Sequence, residues 1–347
     1  MINLSDRKWR AFKTDEILKM SRVLGRTADS YKSGNIPYVS TSSMNNAVID
    51  FVQADDISIS KKNCITVDPI KGTCFYHPYD FVGRGFSGAS VNTLKSDKIN
   101  KYIGLFLCTA IENNAKTKAS YGYLYNSRRL EKGIIFLPVN TNGDPDYNFM
   151  EDYIKERMAI KREEYVEYAR CQLAQIERER VDNTVKWLEF RIEDLFEIKS
   201  GKRLVKSDIE YGNRPFIGAS DSNNGITAWC SNTNSTIDSN VLGVNYNGSV
   251  VENFYHPYEC IFSDDVKRFH LKNTNGDKYL YLFIKTALIK QKNKYRYAYK
   301  FNEKRMNRQT IMLPATTDDK PNYVYMSSYV KSVFADKYGE YLNYAQK

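Results

Sequence analysis

Short apolar runs alternate along the chain with clusters of Gly, Asn, Ser and Pro, a texture that predicts strands and turns. Ile36–Val39, Asn63–Val67 and Ile134–Leu137 read as strands of this kind. Between them, Lys101–Ile111 predicts a helix, because Ile103, Leu105, Phe106 and Ala110 share one face. Asn142-Gly143-Asp144-Pro145-Asp146 is a turn and helix-entry signal. Phe149 to Asn183 then runs 35 residues without Gly or Pro. Ile154, Met158, Tyr165, Ala169, Leu173 and Ile176 recur there at spacings of three, four or seven, interrupted by Lys161 and Arg162. This predicts a long amphipathic helix of roughly 50 Å at about 1.5 Å per residue. A second stripe starts at Met326 and carries Val330, Val333, Phe334, Tyr338, Tyr341, Leu342 and Ala345 to the end of the sequence. Two such helices are expected to pack antiparallel and bury their seams.

The pattern occurs twice. Trp9-x-x-Phe12 returns as Trp187-x-x-Phe190, and Asn35-x-Pro37-Tyr38-Val39 as Asn213-x-Pro215-Phe216-Ile217. Ser42-x-x-Asn45-Asn46 matches Ser220-x-x-Asn223-Asn224, and Phe75-Tyr76-His77-Pro78-Tyr79 recurs unchanged as Phe254-Tyr255-His256-Pro257-Tyr258. Lys101-Tyr102-Ile103 matches Lys278-Tyr279-Leu280, and Tyr121-x-Tyr123-x-Tyr125-Asn126 matches Tyr297-x-Tyr299-x-Phe301-Asn302. Leu137-Pro138 matches Leu313-Pro314, and Pro145-x-Tyr147-x-Phe149-Met150-x-x-Tyr153 matches Pro321-x-Tyr323-x-Tyr325-Met326-x-x-Tyr329. Offsets of 176 to 179 residues are domain-sized, so the chain is a tandem duplication rather than a solenoid. The expected architecture is α+β: two mixed α/β heads joined by long antiparallel, coiled-coil-like helices with pseudo-two-fold symmetry. The boundaries expected are 1–148 for the first head, 149–183 for its helix, 184–325 for the second head and 326–347 for the second helix.

Charge sharpens this division. The 347 residues carry 51 Lys and Arg against 41 Asp and Glu, net +10. The first head holds +6, the first helix −2, and residues 184–326 hold +5. The excess is on the heads, where a polyanion is the expected partner. With 42% hydrophobic residues the chain is too apolar to be disordered. It has no apolar run long enough to span a bilayer and no signal-peptide core at Met1 to Trp9. Six cysteines form no C-x-x-C pair and no zinc spacing, which suits a reducing cytoplasm.

Motifs for catalysis are weak. Gly201-Lys202-Arg203 lacks the upstream glycine and Ser/Thr of a phosphate loop, and Gly83-Arg84-Gly85 is only a fragment of a dinucleotide loop. Asn35-Ile36-Pro37-Tyr38 only brushes against an amino-methyltransferase loop. Glu197-x-Lys199 with Asp194 is the nearest approach to a metal nuclease, and the first repeat has no equivalent. His77 and His256 are open to two readings, a phosphate contact or catalytic imidazole, or a buried network in an aromatic turn; the second is favoured.

The binding signal is stronger. Lys116, Lys118, Tyr121, Arg128 and Arg129 in the first repeat, and Lys292, Lys294, Arg296, Tyr297, Lys304 and Arg305 in the second, mix cations with tyrosines. That mix suits phosphates, although alternate tyrosines of a strand would also fill a core. Base readers are expected where the repeats diverge, at Asp68–Cys74 against Asn245–Asn253 and Val82–Asn92 against Ile261–His270. Lys71 and Arg84, and Asn245, Asn247, Lys267 and Arg268, are the candidates there. Asn45, Asn46, Asn223 and Asn224 complete the expected DNA-binding set, with no catalytic residue and no metal site.

Two basic heads, each ending in Leu-Pro and then a long helix, resemble the DNA-specificity (S) subunit of type I restriction-modification systems. The resemblance covers essentially the whole chain. Pro145-x-Tyr147-x-Phe149-Met150-x-x-Tyr153 is similar to the related specificity subunits of type IIB systems, which cut on both sides of their site. The family's Pro-Leu-Pro then Glu-Gln junction is absent, and the second helix is short. The resemblance implies a non-catalytic subunit in which each head occupies half of a split site in double-stranded DNA. The helices would act as a ruler for an unread spacer of about 10–15 base pairs. Two methyltransferase subunits, fused to or joined by a nuclease, are the implied partners. S-adenosylmethionine, and Mg2+ for cleavage, would belong to those subunits, which would flip and methylate adenines. Tyr153, Met158, Tyr165, Tyr168, Val330, Phe334, Tyr338 and Tyr341 would face them. A self-contained methyltransferase or nuclease, or a duplicated scaffold that does not bind DNA, are the alternatives.

Overall fold

A computed structural model describes residues 1–85, 90–120, 122–176, 185–295 and 299–346. It divides into two units, Met1–Glu164 and Tyr165–Lys347, which share most of their elements, although the short strand Ile59–Ser60 has no counterpart among the described residues of the second.

In the first unit, Lys8–Lys13 pairs antiparallel with Ile134–Val139. A four-stranded antiparallel sheet follows, in the order Lys19–Arg22, Asn92–Lys95, Cys64–Val67 and Cys74–His77. A second sheet orders Val48–Val52, Ser33–Val39, Phe81–Gly83 and Ile59–Ser60, with the middle pair parallel. The second unit repeats the plan. Trp187–Arg191 pairs with Thr310–Pro314, and Phe196–Ser200, Val266–Leu271, Val241–Asn245 and Asn253–His256 form the four-stranded sheet. Ile226–Cys230, Tyr211–Ile217 and Ile261–Phe262 form its second sheet. Pro37 and Pro215 have no N–H to give the ladder. The antiparallel pairing of each strand accordingly carries register shifts on either side of its proline.

Every residue of Cys64–Val67 is buried because both faces of the strand are covered. Ile65 and Val67 face α1 (Lys101–Ala115), meeting Ile103, Phe106, Leu107 and Ile111. Cys64 faces the second sheet with Val39 and Phe81. In the second unit, Leu242 and Val244 face α3 (Lys278–Ile289) with Leu280, Ile284 and Leu288, whereas Val241 packs with Ile217 and Phe262. Asn100 starts α1 by accepting from the Tyr102 and Ile103 amides, and Asp277 starts α3 by accepting from Leu280.

The long helices are α2 (Tyr147–Gln175) and α4 (Tyr323–Ala345), about 43 Å and 34 Å at 1.5 Å per residue. Within the second unit, the last turns of α2 pack on α4. Tyr165 meets Tyr341 edge-on at 4.5 Å, and Tyr168 meets Tyr338 at 6.1 Å. Advancing three residues on one helix retreats three on the other, so the pair is antiparallel. Ala169, Ile176 and Ala335 are sealed in the seam. Among the described residues, no helix is long and apolar enough to cross a membrane.

Candidate nucleic-acid interface

The repeated Asn-Asn and Phe-Tyr-His-Pro-Tyr motifs, about thirty residues apart in sequence, are joined in space. Asn45, Asn46 and Ala47 all take left-handed backbone, φ 51°, 55° and 60°. Asn223, Asn224 and Gly225 do the same at 50°, 53° and 74°. Such backbone costs about 1–2 kcal/mol per ordinary residue, less for Asn. A side-chain tie offsets it: the Asn46 amide donates to the Tyr76 carbonyl at 3.3 Å and the Tyr79 hydroxyl at 2.7 Å. Asn224 donates to the Tyr255 carbonyl at 3.4 Å and the Tyr258 hydroxyl at 2.7 Å. Both amides are therefore engaged within the protein, so Asn46 and Asn224 are corrected from DNA contacts to ties within the fold, while Asn45 and Asn223 beside them are exposed.

His77 and His256 are fully buried next to these ties. His77 Nε2 lies 2.8 Å from the Thr66 hydroxyl, and its ring packs 4.7 Å from Phe81. His256 packs against Phe262 and Tyr258. Gly243 stands where Thr66 does in the strand, and His256 Nε2 has no partner among the described residues. Burial pushes both imidazoles down to about 4 from the usual 6.5, which fits the buried-network reading. Each is neutral when folded, whereas the unfolded chain takes up a proton below pH 6.5. Their stabilisation is complete above pH 6.5 and is lost as the pH falls towards 4, by about 3 kcal/mol per histidine. We expect urea midpoints to drop across that window, and H77Q to remove the first unit's share. A midpoint flat from pH 7 to 4.5 would contradict the burial.

The divergent segments come up against the tied loops. Lys71 is exposed and its Nζ lies 3.5 Å from Ser43 Oγ. Arg84 is half-buried and accepts from Val91 through its carbonyl. Asp68 is buried, and that burial holds its carboxyl above the usual range against the opposing pull of the Ile70 and Lys71 amides and of the Lys71 and Arg84 charges. In the second unit, Asn247 donates to Asp265 at 2.8 Å, and Lys267 reaches Ser200 at 2.6 Å and Glu303 at 3.0 Å. Two expected base readers are corrected. Asn245 is 1% exposed and donates to the Ser220 carbonyl. Arg268 is 8% exposed, with its guanidinium on Asp238 and the Ser200 carbonyl. Both side chains are enclosed by the fold instead of facing a ligand.

The basic, tyrosine-rich segments divide by role. Arg129 stacks on Tyr123 at 3.6 Å and donates to the carbonyls of Lys118, Tyr123 and Leu124. Arg305 stacks on Tyr299 at 3.7 Å and donates to the Lys300 carbonyl. These two arginines pin their loops. Lys118, Arg128, Lys294 and Lys304 are exposed; Lys116 and Lys292 are exposed but paired with Glu112 and Glu252. Tyr121, Arg296 and Tyr297 lie outside the described residues. A polar cleft of about 470 Å³ opens among Tyr299, Asn302, Lys304, Arg305 and Arg308.

Each unit also has an apolar groove that the sequence did not mark. Trp9 stacks on Phe106 at 6.1 Å, and Phe106 meets Tyr153 edge-on at 6.0 Å. Trp187 stacks on Phe283 at 6.1 Å, and Phe283 meets Tyr329 at 5.9 Å. Phe136 in one and Met312 in the other complete walls enclosing about 490 and 610 Å³. Of the helix residues expected to face partners, Tyr153 and Val330 line these grooves, and Met158 is exposed. Phe334, Tyr338 and Tyr341 instead pack in the helix seam with Tyr165 and Tyr168. Burial, then the Tyr168 hydroxyl, pushes the Tyr338 hydroxyl up to about 12.

The fold is thus one duplicated scaffold carrying two different sets of surface loops. The chain matches the type I restriction modification DNA specificity domain over residues 6–167 and again over 184–336, and it belongs to that family. It is 38% identical over 315 residues to the "Type II restriction enzyme BgcI specificity subunit S.BcgI" of Heyndrickxia coagulans, spanning 89% of this chain and 90% of that one. Among solved structures it is similar to the type I S subunit from M. genitalium, at TM-score 0.51 and 13% identity over 99% of this chain and 95% of that one. The HsdS subunit from Thermoanaerobacter tengcongensis aligns at TM-score 0.34 and 14% identity over 98% and 92%. As a specificity subunit, the chain recognises DNA sequence and does not itself catalyse.

Proposed function

We propose that the protein reads a bipartite duplex site, one half-site per unit, with an unread spacer set by the long helices. One observation carries this reading. The two units keep the same scaffold and the same asparagine ties, yet differ at Asp68–Cys74 against Asn245–Asn253. Shared scaffold with unlike surface loops is what two different half-sites require. Base contacts fall to Lys71 and Arg84 in the first unit and, in the second, to the turn around Asn247 rather than to Lys267, whose ammonium is held by Ser200 and Glu303. Asn45, Asn223, Lys118, Arg128, Lys294 and Lys304 supply the sequence-independent grip on phosphate.

The partners are two methyltransferase subunits, fused to or joined by a nuclease. They bring S-adenosylmethionine and Mg2+ and act on adenines in the cytoplasm. A partner present in two copies is supported by the apolar groove occurring once per unit around Trp9 and Trp187. Likeness to a type II enzyme's specificity subunit supports the type IIB arrangement.

Selection from a randomised duplex library, with the chain purified together with its partners, tests the reading. A split motif of two unlike halves is expected, with affinity falling about 10³-fold or more from 50 to 200 mM salt. A continuous motif, or none, would contradict it. The chain alone should neither cut nor methylate DNA.

A further inference from the structure

The asparagine ties have a bearing on recognition that rests on the reading above. The tie residues are the same in both units: Asn46 with Tyr79, and Asn224 with Tyr258, each at 2.7 Å. What leans on the tied loop is not the same. In the first unit, Lys71 from the 68–74 segment reaches Ser43. In the second, the Asn245 side chain donates to the Ser220 carbonyl at 2.9 Å, and the Ser249 amide to the Ala219 carbonyl at 3.4 Å. A constant tie thus supports a variable segment in both units.

We propose that Asn46 and Tyr79, and Asn224 and Tyr258, are positioning residues for base readout. They hold the 42–47 and 220–225 loops in a left-handed path, which is the platform for the two unlike recognition segments. Three consecutive left-handed residues, two or three of them with a Cβ, do not keep that path unaided. Without the Nδ2 donor, or without the hydroxyl that accepts it, the loop relaxes and the segment resting on it shifts. Base-edge hydrogen bonds weaken steeply with such a shift, whereas attraction between lysines and phosphates tolerates it. The tie therefore governs discrimination and leaves general DNA affinity alone. Duplication makes the role separable, because each tie should act on its own half-site.

The test uses the full chain in complex with its partners. Binding is measured to the selected duplex, to duplexes altered in one half-site or the other, and to random duplex. N46A, and the milder Y79F, which keeps the ring and removes the acceptor, should each lower discrimination at one half-site by tenfold or more. Discrimination at the other half-site, affinity for random duplex and the salt slope should not move. N224A and Y258F should produce the mirror image. Unmoved discrimination in both Y79F and Y258F, in complexes whose unaltered form selects a split motif, would overturn the inference alone. Equal loss at both half-sites together with random-duplex affinity would also overturn it, by showing a general effect on the fold. Absence of any split motif from the unaltered complex would remove the proposed function and this inference together. If N46A fails to assemble, Y79F decides the outcome.

Discussion

Exchanging residues 1–148 for the corresponding head of a relative with a different specificity is expected to replace one half of the recognised motif and keep the other half and the spacer. The size of the change follows from ordinary direct readout. Each wrong base pair costs about 1–3 kcal/mol, so a half-site of three or four pairs is worth several orders of magnitude in affinity. The first head carries nearly all of its own core, built from Ile65, Val67, Leu94, Leu107 and Leu137, with only Met150 of that core and the packed Tyr153 and Ile154 left on the recipient's helix. Motif selection before and after the exchange is the measurement. A change in both halves would contradict assignment of one half-site to each unit.

Placing a carboxylate in the helix seam should be the most destabilising single change in the second unit. Ala335 and Ala169 are both fully buried where α2 and α4 pack. Small residues there let the backbones approach, and Tyr338 and Tyr341 close over them. In A335E a carboxylate takes the place of a methyl group that has no exposure. The expected cost is about 3–5 kcal/mol, set by desolvation and lost packing. Y338A should cost a similar amount by leaving a cavity, whereas Y338F should cost about 1 kcal/mol. Urea unfolding of the three variants gives the order. An unchanged midpoint for A335E would contradict the antiparallel seam.

The duplication was legible because shared residues build the fold, and Leu-Pro, His-Pro-Tyr and the strand prolines all mark backbone that both units need. Strand Cys64–Val67 was legible as a short continuous apolar run, every residue of it buried, and helix α1 by the 3.6-residue recurrence of its buried positions. The interface was harder to read. Trp9 and Phe12 stand three apart on a strand, so they point to opposite faces: Phe12 enters the core and Trp9 walls a groove. Repetition alone does not say which of the two faces outward. Asn46 and Asn224 have the look of ligand contacts in sequence, because nothing local shows that a tyrosine thirty-odd residues away takes their amides. Arg268 is buried through Asp238, a partner thirty residues distant. By contrast, the Arg129–Tyr123 and Arg305–Tyr299 stacks, each spanning six residues in both repeats, were a signal that could have been read.

The central claim, that one chain joins two readings at a fixed separation, is tested most directly by competition among defined duplexes. The complete selected site is compared with its first half alone, its second half alone, and both halves with the spacer changed by one or more base pairs. The account predicts that each single half, and each altered spacing, binds at least 100-fold more weakly than the complete site. A single half that competes as well as the complete site, or indifference to spacing, would contradict it.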